Sequence, residues 1–343
     1  MEEIDLNNTE INSLKNKNDI QSLKNKLLSN NCIIVVCGPT AAGKSKTALI
    51  LAKFFDTNLI SADSMQAYKG MDIGTDKQDF TKYNVNQFLI NICKPDHFLT
   101  SAEYRNMARD VIKTEFFEKR KIPILAGGSG LHIRAITEDL MEAPEGDYAL
   151  REKIKTDINN FGLPYYYEKL KNIDPEYASR ISENDERRII RAIEVFEKTG
   201  RKFSEFQNKW KDRESIYECI FIGLSADRKQ LYENIEIRVD KMINEGLISE
   251  VKNLIDSGYK DCFSLQQAIG YKELIKYFEG KLNIEDAIKE IKKNTRHLAK
   301  KQFTWFKADG RINWITVDNY DNIYNLVNEI LNIISCKVFY EKN

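Results

Sequence analysis

The sequence has no long hydrophobic run and no secretion signal. Its longest apolar stretches, such as Cys32 to Cys37, are far shorter than the ~18 residues that a membrane-spanning helix requires. The first ten residues, MEEIDLNNTE, contain neither the basic segment nor the apolar segment of a signal peptide. None of the six cysteines belongs to a C-x-x-C pair, so reduced thiols are the simplest interpretation. We therefore expect a cytoplasmic protein without a membrane attachment.

The chain also has no excess of either charge, because 52 Lys and Arg residues balance 52 Asp and Glu residues. A nucleic acid or another anionic partner would therefore have to bind at a local basic patch. The length of 343 residues is typical of about two domains, and 42% hydrophobic residues are enough for a sizeable core. We expect a globular monomer with no obligate protein partner.

A glycine-rich loop lies between a predicted strand, CIIVVC, and a predicted helix, KTALILAKFF. The loop, GPTAAGKS, fits the G-x-x-x-x-G-K-[ST] pattern of a phosphate-binding loop in the context that pattern requires. Glycines let successive backbone N–H groups converge on an anion, and the lysine adds a positive charge. The candidate diphosphate-binding residues are Gly38, Thr40, Ala41, Ala42, Gly43, Lys44 and Ser45. Ser45 is also the candidate Mg²⁺ ligand, shared with a bound phosphate.

Strands and helices alternate in the first half of the chain. NLISAD, FLINIC and IPILA are further predicted strands, and this rhythm is typical of a parallel sheet. The predicted fold class is α/β, with a P-loop NTPase-like parallel-sheet core, a helical insertion subdomain and a helical C-terminal region. We expect a polar leader or short amphipathic helix over 1–31, the first part of the core over 32–140, the insertion over 141–216, and the return to the core with the C-terminal region over 217–343.

Two charged residues outside the loop are candidates for catalysis. Asp63 follows a predicted strand, at the carboxyl edge of the sheet where α/β proteins bind ligands, although it could instead form a turn or cap a helix. Arg238 lies on the apolar stripe of a predicted helix and has no carboxylate three or four residues away. It therefore contacts a ligand phosphate, forms a tertiary salt bridge, or extends to the solvent.

Two basic segments could bind a nucleic acid. Seven Lys and Arg residues lie between Ala287 and Lys307 against one Glu, with Trp305 and Phe306 among them. The second segment contains Arg187, Arg188, Arg191, Arg201 and Lys202. Cations together with aromatic side chains suit a single-stranded nucleic acid. A run of charges is also common on a plain solvated helix face, so both interpretations stay open.

Taken together, these motifs closely resemble the tRNA dimethylallyltransferases, also called tRNA isopentenyltransferases. The resemblance spans about Ile33 to Trp314, and it rests on GPTAAGKS, DSMQAYKGMDIGTDK, GGSGLHI, NDERRIIRAIEVFEKTG, ADRKQLYENIEIRVDKM, QAIGYKE and TRHLAKKQFTWFK. It implies the transfer of a dimethylallyl group from dimethylallyl diphosphate to N6 of the adenine just 3′ of the tRNA anticodon, with release of diphosphate. It also implies Mg²⁺ as the cofactor and an insertion that contacts the anticodon arm.

The resemblance assigns roles to residues of this chain. It makes Asp63 the general base and lets Lys44, Arg238 and Mg²⁺ stabilise the leaving diphosphate. The implied tRNA contacts are Asp63, Ser64, Met65, Gln66, Ser129, Arg187, Arg188, Arg191, Gln267, Gly270, Tyr271, Lys272, Lys300, Lys301, Gln302, Thr304 and Trp305. The chain departs from the family at Ser129, His132 and Lys301, where Thr, Tyr and Arg respectively are more usual.

Three other functions compete with this interpretation. An adenylate dimethylallyltransferase would not need the insertion or the basic C-terminal helix. A small-molecule kinase would need an acidic Mg²⁺ ligand, and the predicted strand IPILA runs into Gly127 without one. A tRNA-binding protein without activity would not need Asp63 or Lys44. The loop itself requires a polyphosphate, which need not be ATP.

Overall fold

A six-stranded sheet forms the centre of the computed structural model, which describes residues 17–138, 144, 146–207 and 215–340. In chain order the strands are β1 (Cys32–Cys37), β2 (Leu59–Ser61), β3 (Gln87–Phe88), β4 (Ile124–Gly127), β5 (Glu218–Ser225) and β6 (Ile312–Thr316). They lie in the order β3-β2-β4-β1-β5-β6, and neighbouring strands are parallel. The predicted α/β class with a parallel-sheet core is confirmed.

Helices follow most of the strands. In chain order they are α1 (Lys17–Ser29), α2 (Lys44–Phe55), α3 (Ser101–Lys113), α4 (Gly130–Thr137), α5 (Tyr148–Phe161), α6 (Leu163–Ile173), α7 (Pro175–Ala178), α8 (Glu186–Thr199), α9 (Phe203–Gln207), α10 (Arg228–Asn244), α11 (Leu247–Asp256), α12 (Phe263–Gln267), α13 (Tyr271–Phe278), α14 (Ile284–Lys307) and α15 (Ile323–Phe339). Within the described residues, none of them combines the length and the apolar character needed to cross a membrane.

The chain divides into two compact units. The first combines 17–136 with 217–340 and contains the whole sheet, and the second is Thr137–Ile216. The sequence predicted a helical insertion over 141–216. The second unit ends at the same residue but begins at Thr137.

The first unit packs helices on both faces of the sheet. Ile34 and Val36 of β1 face one side, in a core shared with α1, α2 and α15. Ile33 and Val35 face the other side, in a core shared with α3 and α4. A strand that is covered on both faces can be apolar at every position, which is why CIIVVC does not alternate with polar residues.

Two local features refine the sequence predictions. Of the two alternatives for 1–31, a polar leader or a short amphipathic helix, the structure has a helix over Lys17–Ser29, whose Leu23 and Leu27 are buried in the core. The remainder, 1–16, lies outside the described residues. The predicted strand FLINIC is also shorter than expected, because positive φ angles at Leu89 and Asn91 end β3 after Phe88.

A third core in the first unit holds the C-terminal helices together. Val239 of α10, Leu247 of α11, Leu274 of α13 and Ile291 of α14 are buried in it. This packing places α10 and α14 as fixed elements, and both carry candidate site residues.

The second unit has a hydrophobic core of its own. Ile154 of α5, Leu170 of α6 and Ile193 of α8 are buried in it. Glu194 is also fully buried, and its carboxylate accepts hydrogen bonds from Arg151 Nε at 2.9 Å and Nη2 at 3.0 Å. A buried charge with such bidentate pairing is satisfied within the fold, so this carboxylate has a structural role.

Candidate active site

The phosphate loop connects the central strand β1 to helix α2. Gly38 has a φ of 135°, and a Cβ atom there would lie 2.3 Å from the carbonyl oxygen of Leu224, so only glycine fits. Gly43, with a φ of 82°, precedes the first residue of α2, and no side chain caps this helix. The N–H groups at the start of α2 are therefore available to an anion, which the helix dipole also attracts.

A cavity of about 450 Å³ opens beside this loop. Its wall contains Lys44 and Ser45 from the loop, Asp63 after β2 and Arg238 of α10, so the structure brings together candidates that are far apart in the chain. The wall also has an apolar part, which consists of Met65, Val239, Met242, Leu247 and Ile291. A ligand here would therefore meet charged groups and hydrocarbon in the same space.

Asp63 uses only part of its carboxylate within the fold. Its Oδ1 accepts a hydrogen bond from the backbone N–H of Met65 at 3.0 Å, which is the turn-forming role that the sequence left open. No described residue donates a hydrogen bond to Oδ2. The carboxylate lines the cavity, so it combines a fixed position with a free acceptor atom.

Arg238 forms a tertiary salt bridge, one of the three alternatives from the sequence. Its Nη1 lies 3.0 Å from Oδ2 of Asp76, and both side chains are about one-third exposed in the cavity wall. A guanidinium has five N–H donors, so most of them are left for a ligand. An ion pair this exposed contributes only ~0–1 kcal/mol to stability, so a diphosphate could compete with Asp76 for Arg238.

Lys44 is the cation of the phosphate loop itself. Its Nζ donates a hydrogen bond to the carbonyl oxygen of Pro39 at 2.6 Å. Burial, and after it the Arg238 cation, lower the pKa of Lys44 to about 8, while Asp63 and Asp76 act in the opposite direction. The ammonium group is thus still mostly protonated near neutral pH, but it loses its proton at a lower pH than an ordinary lysine.

The glycine loop after β4 lies against both Asp63 and helix α14. A Cβ atom at Gly127 would be 2.3 Å from the carbonyl oxygen of Ala62, the residue before Asp63. Gln302 of α14 joins this loop to the phosphate loop: its Oε1 accepts from Thr40 N at 2.8 Å, and its Nε2 donates to Gly128 O at 3.0 Å. Both ends of the Gln302 amide are therefore used inside the protein.

The predicted Mg²⁺ fits this site only if a bound substrate supplies some of its ligands. Within the described residues, no three His, Cys, Asp or Glu side chains group into a metal site. Ser45 lines the cavity, and its hydroxyl makes no hydrogen bond to another described residue. Because Mg²⁺ is usually held by one or two protein oxygens together with phosphates, Ser45 and a bound diphosphate would make a suitable ligand set.

Comparisons with known proteins agree with this geometry. The family model described as IPP transferase matches residues 66–309. The chain belongs to the IPP transferase family. A tRNA dimethylallyltransferase of Thermoanaerobacter sp. (strain X514) is 44% identical over 312 residues, which cover 89% of this chain and 98% of the relative. One of Alkaliphilus oremlandii (strain OhILAs) is 41% identical over 301 residues, covering 87% and 96% respectively.

Solved structures of this family have the same fold. The tRNA isopentenylpyrophosphate transferase of Bacillus halodurans is 37% identical, with a TM-score of 0.63 over 90% of this chain and 98% of that chain. The enzyme of Staphylococcus epidermidis is 33% identical, with a TM-score of 0.65 over 89% and 99%. A eukaryotic dimethylallyltransferase that acts on tRNA has a TM-score of 0.71 over 91% and 86%, and at 23% identity it supports the fold alone.

In this IPP transferase, many of the predicted tRNA contacts lie in the cavity wall. They are Asp63, Ser64, Met65, Gln66, Ser129, Gln267, Gly270, Lys301, Gln302 and Trp305. Trp305 is 42% exposed and packs directly on Gly130, so it is not a core residue. Lys272 is half-buried, 3.8 Å from Glu273, and Thr304 is exposed. These positions stay predictions as tRNA contacts.

The side chains of three predicted tRNA contacts have partners inside the protein. Tyr271 is fully buried, and its hydroxyl donates to Glu250 Oε1 at 2.6 Å, so its side chain does not reach a ligand. Gln302 holds the two loops together, as described above. Arg191 pairs with the buried Glu194 and donates to Pro144 O at 2.6 Å, so its charge is used inside the second unit. Arg187 and Arg188 are exposed, the latter 3.3 Å from Asp185.

The basic helix α14 has fewer free cations than its sequence suggests. Lys289, Lys292 and Arg296 pair with carboxylates of α10 or of α14 itself. Lys293, Lys300 and Lys301 are exposed and have no carboxylate partner among the described residues. The available positive charge is therefore concentrated in the second half of the helix, which also carries Trp305.

The loop that carries Asp76 is held by a residue that the sequence does not reveal as part of the site. Glu250 of α11 accepts hydrogen bonds from three successive N–H groups, those of Asp72 at 2.9 Å, Ile73 at 2.7 Å and Gly74 at 3.2 Å. Because Glu250 is far from this loop in the chain, no local pattern could have revealed the contact. It keeps Asp76 beside Arg238.

The lowered pKa of Lys44 predicts that anion binding depends on pH. An alkyl diphosphate attracts the protonated ammonium, so its affinity should fall as the pH rises through about 8, at most tenfold per pH unit. The ester itself loses its last proton near pH ~6 and stays fully ionised in this range. Calorimetric titration between pH 7 and pH 9.5 would measure the effect. Lys44→Gln should bind weakly without this dependence, and a constant wild-type affinity would contradict the prediction.

Adjacent residues of α14 are predicted to serve different substrates. Gln302→Ala removes two hydrogen bonds that shape the phosphate loop, so it should weaken binding of an alkyl diphosphate about tenfold, or ~1.4 kcal/mol, and leave tRNA affinity within about twofold. Lys301→Ala is the matched control and should weaken tRNA binding and reduce its salt dependence by about one unit of slope. Loss of tRNA affinity in Gln302→Ala, with unchanged diphosphate affinity, would restore Gln302 as a tRNA contact.

Proposed function

We propose that this chain is a tRNA dimethylallyltransferase. It transfers a dimethylallyl group from dimethylallyl diphosphate to N6 of the adenine that follows the tRNA anticodon, and it releases diphosphate. The observation that carries the proposal is the cavity, where the phosphate loop, the Asp63 carboxylate and Lys301 of the basic helix α14 share one wall. The names of the relatives support the same activity.

The donor fits the two kinds of surface in the cavity. Its diphosphate would bind the N–H groups at the start of α2, with Lys44 and Arg238 as cations. Its dimethylallyl group is hydrocarbon and would contact apolar wall residues such as Met65 and Met242. Ser45 would hold Mg²⁺ together with the diphosphate, and the ion when bound would neutralise charge on the leaving group.

Asp63 would act on the acceptor. The lone pair of an exocyclic adenine amine is delocalised, so the amine is a weak nucleophile until its proton is removed. Asp63 has a free Oδ2 atom at the cavity wall and would take this proton as the C–N bond forms. The reaction breaks a C–O bond and moves no phosphoryl group, so it does not need an acidic Mg²⁺ ligand after β4 of the type that kinases use.

The tRNA would contact the exposed basic residues. Lys300 and Lys301 of α14 have no carboxylate partner among the described residues and could meet phosphates, while Trp305 offers an exposed ring for stacking. Arg187 and Arg188 would contact the anticodon arm from the second unit. The target base must leave the anticodon loop to enter the cavity. Because a base in this loop is unpaired, its extrusion requires little free energy.

The remaining expectations concern the form in which the enzyme acts. We propose that the enzyme acts as a monomer without an obligate protein partner. A tRNA substrate supports an activity in the cytoplasm.

Mass spectrometry of tRNA nucleosides tests the proposal. The protein is incubated with unmodified tRNA, dimethylallyl diphosphate and Mg²⁺, and the nucleosides are then released. We expect N6-dimethylallyladenosine only at the position 3′ of the anticodon, with one diphosphate released per transfer. Parallel reactions contain AMP as the acceptor, or ATP as a phosphoryl donor. Transfer to AMP with unmodified tRNA, or phosphorylation of a small molecule, would contradict the proposal.

Asp63→Asn tests the proposed general base. The amide oxygen can still accept the hydrogen bond from Met65 N, so the turn should persist, but the amide cannot take a proton. We expect single-turnover transfer to slow by ~10²- to 10⁴-fold while tRNA affinity changes little. A rate within threefold of wild type would show that another group accepts the proton.

A further inference from the structure

A buried histidine holds a serine hydroxyl at the wall of the cavity. His132 of α4 is 9% exposed, and its Nδ1 lies 2.6 Å from Oγ of Ser129, a residue of the cavity wall. Its ring packs edge-to-face on Tyr104, with centroids 4.7 Å apart and an interplanar angle of 82°. The Tyr104 hydroxyl in turn donates to Ser61 O at 2.6 Å. The imidazole is therefore fixed by packing on one side and by the serine on the other.

Ser129 lies between the two sets of groups that the proposed reaction uses. Its backbone N–H donates to Ala62 O at 3.1 Å, which places it beside Asp63. The preceding residue, Gly128, is joined to Thr40 of the phosphate loop through Gln302. The bond that breaks in a transfer from diphosphate to an amine must lie between the base and the phosphate loop, and Ser129 lines the cavity that both of them share.

The His132 ring is neutral under physiological conditions. Burial lowers the pKa of His132 to about 4, so the ring is neither a cation for the diphosphate nor an effective base. A neutral imidazole carries one N–H. If it is on Nδ1, the ring donates to Ser129 Oγ and the hydroxyl hydrogen is free to point into the cavity. No other described residue forms a hydrogen bond with Ser129 Oγ.

We propose that His132 is a positioning residue that orients Ser129 as a hydrogen-bond donor to the diphosphate oxygen from which the dimethylallyl group departs. This inference rests on the proposed function. In the transfer, the C–O bond breaks and its electron pair stays on that oxygen, the amine lone pair forms the C–N bond, and Asp63 takes the N6 proton. The hydroxyl of Ser129 stabilises the charge on the oxygen and keeps its own proton.

The orientation matters because a serine side chain has three staggered rotamers. Without a fixed partner the hydroxyl would spend part of its time pointing away from the leaving oxygen. A hydrogen bond from the imidazole also polarises the hydroxyl, which makes it a stronger donor. His132 would therefore affect the chemical step through Ser129 and leave substrate binding nearly unchanged.

A double-mutant cycle tests the proposal. His132→Phe keeps an aromatic ring against Tyr104 and removes both nitrogens, and Ser129→Ala removes the hydroxyl. With saturating substrates, we expect single-turnover transfer to slow by about 10²-fold in Ser129→Ala and about tenfold in His132→Phe. In the Ser129→Ala background, His132→Phe should change the rate by less than twofold, because the hydroxyl it orients is already absent. His132→Asn retains a side-chain donor near the Nδ1 position and should stay within about threefold of wild type.

Two results would overturn the proposal. One is a tenfold loss in His132→Phe in both serine and alanine backgrounds, because additive effects indicate a structural role only. The other is a wild-type rate in His132→Phe. If this variant does not fold, as judged by its melting temperature, His132→Leu takes its place in the cycle with the same two criteria. A failure of the proposed function would be distinct, because the wild-type protein itself would then form no product.

Discussion

Close approaches at four glycines determine the shape of the site. At each of them a Cβ atom would lie within 2.4 Å of another group, and the pairs are Gly38 with Leu224 O, Gly127 with Ala62 O, Gly128 with Gln302 and Gly130 with Trp305. Such distances exclude every other residue type unless the neighbour moves. The contacts of Gly38 and Gly127 hold the two glycine loops close to the sheet. The contacts of Gly128 and Gly130 let helix α14 lie directly on the loop after β4. The cavity and its two hydrogen-bonded loops depend on these contacts.

The charges around the cavity are arranged so that a ligand can replace existing partners at little cost. Arg238 is paired with Asp76, but the pair is partly exposed and contributes only ~0–1 kcal/mol. Lys44 donates a hydrogen bond to a carbonyl oxygen, and its pKa is lowered to about 8. A diphosphate would supply more negative charge to both cations than their present partners do.

Sequence reasoning succeeded where the decisive contacts are local. The phosphate loop, strand β1 and helix α2 form one continuous motif, so their residues and their context could be read directly from the chain. For Arg238 the sequence left three alternatives open. Its partner Asp76 lies in a loop that Glu250 of helix α11 holds in place, and neither contact is visible in the local sequence. Tyr271 was assigned to tRNA because a motif names residues without showing which side of a helix is buried.

In the proposed function, helix α14 would contribute to the binding of both substrates. Successive residues of an α-helix differ by about 100° in direction, so Gln302 points inward to the phosphate loop while Lys301 is exposed. The inward contacts join the phosphate loop to the loop after β4 within the protein, which would reduce the reorganisation needed for diphosphate binding. On the outer face, Lys292 and Arg296 would first have to leave Glu236, whereas Lys300 and Lys301 have no such partner among the described residues. We therefore expect an RNA to contact the second half of this helix, beside the cavity into which the base would be inserted.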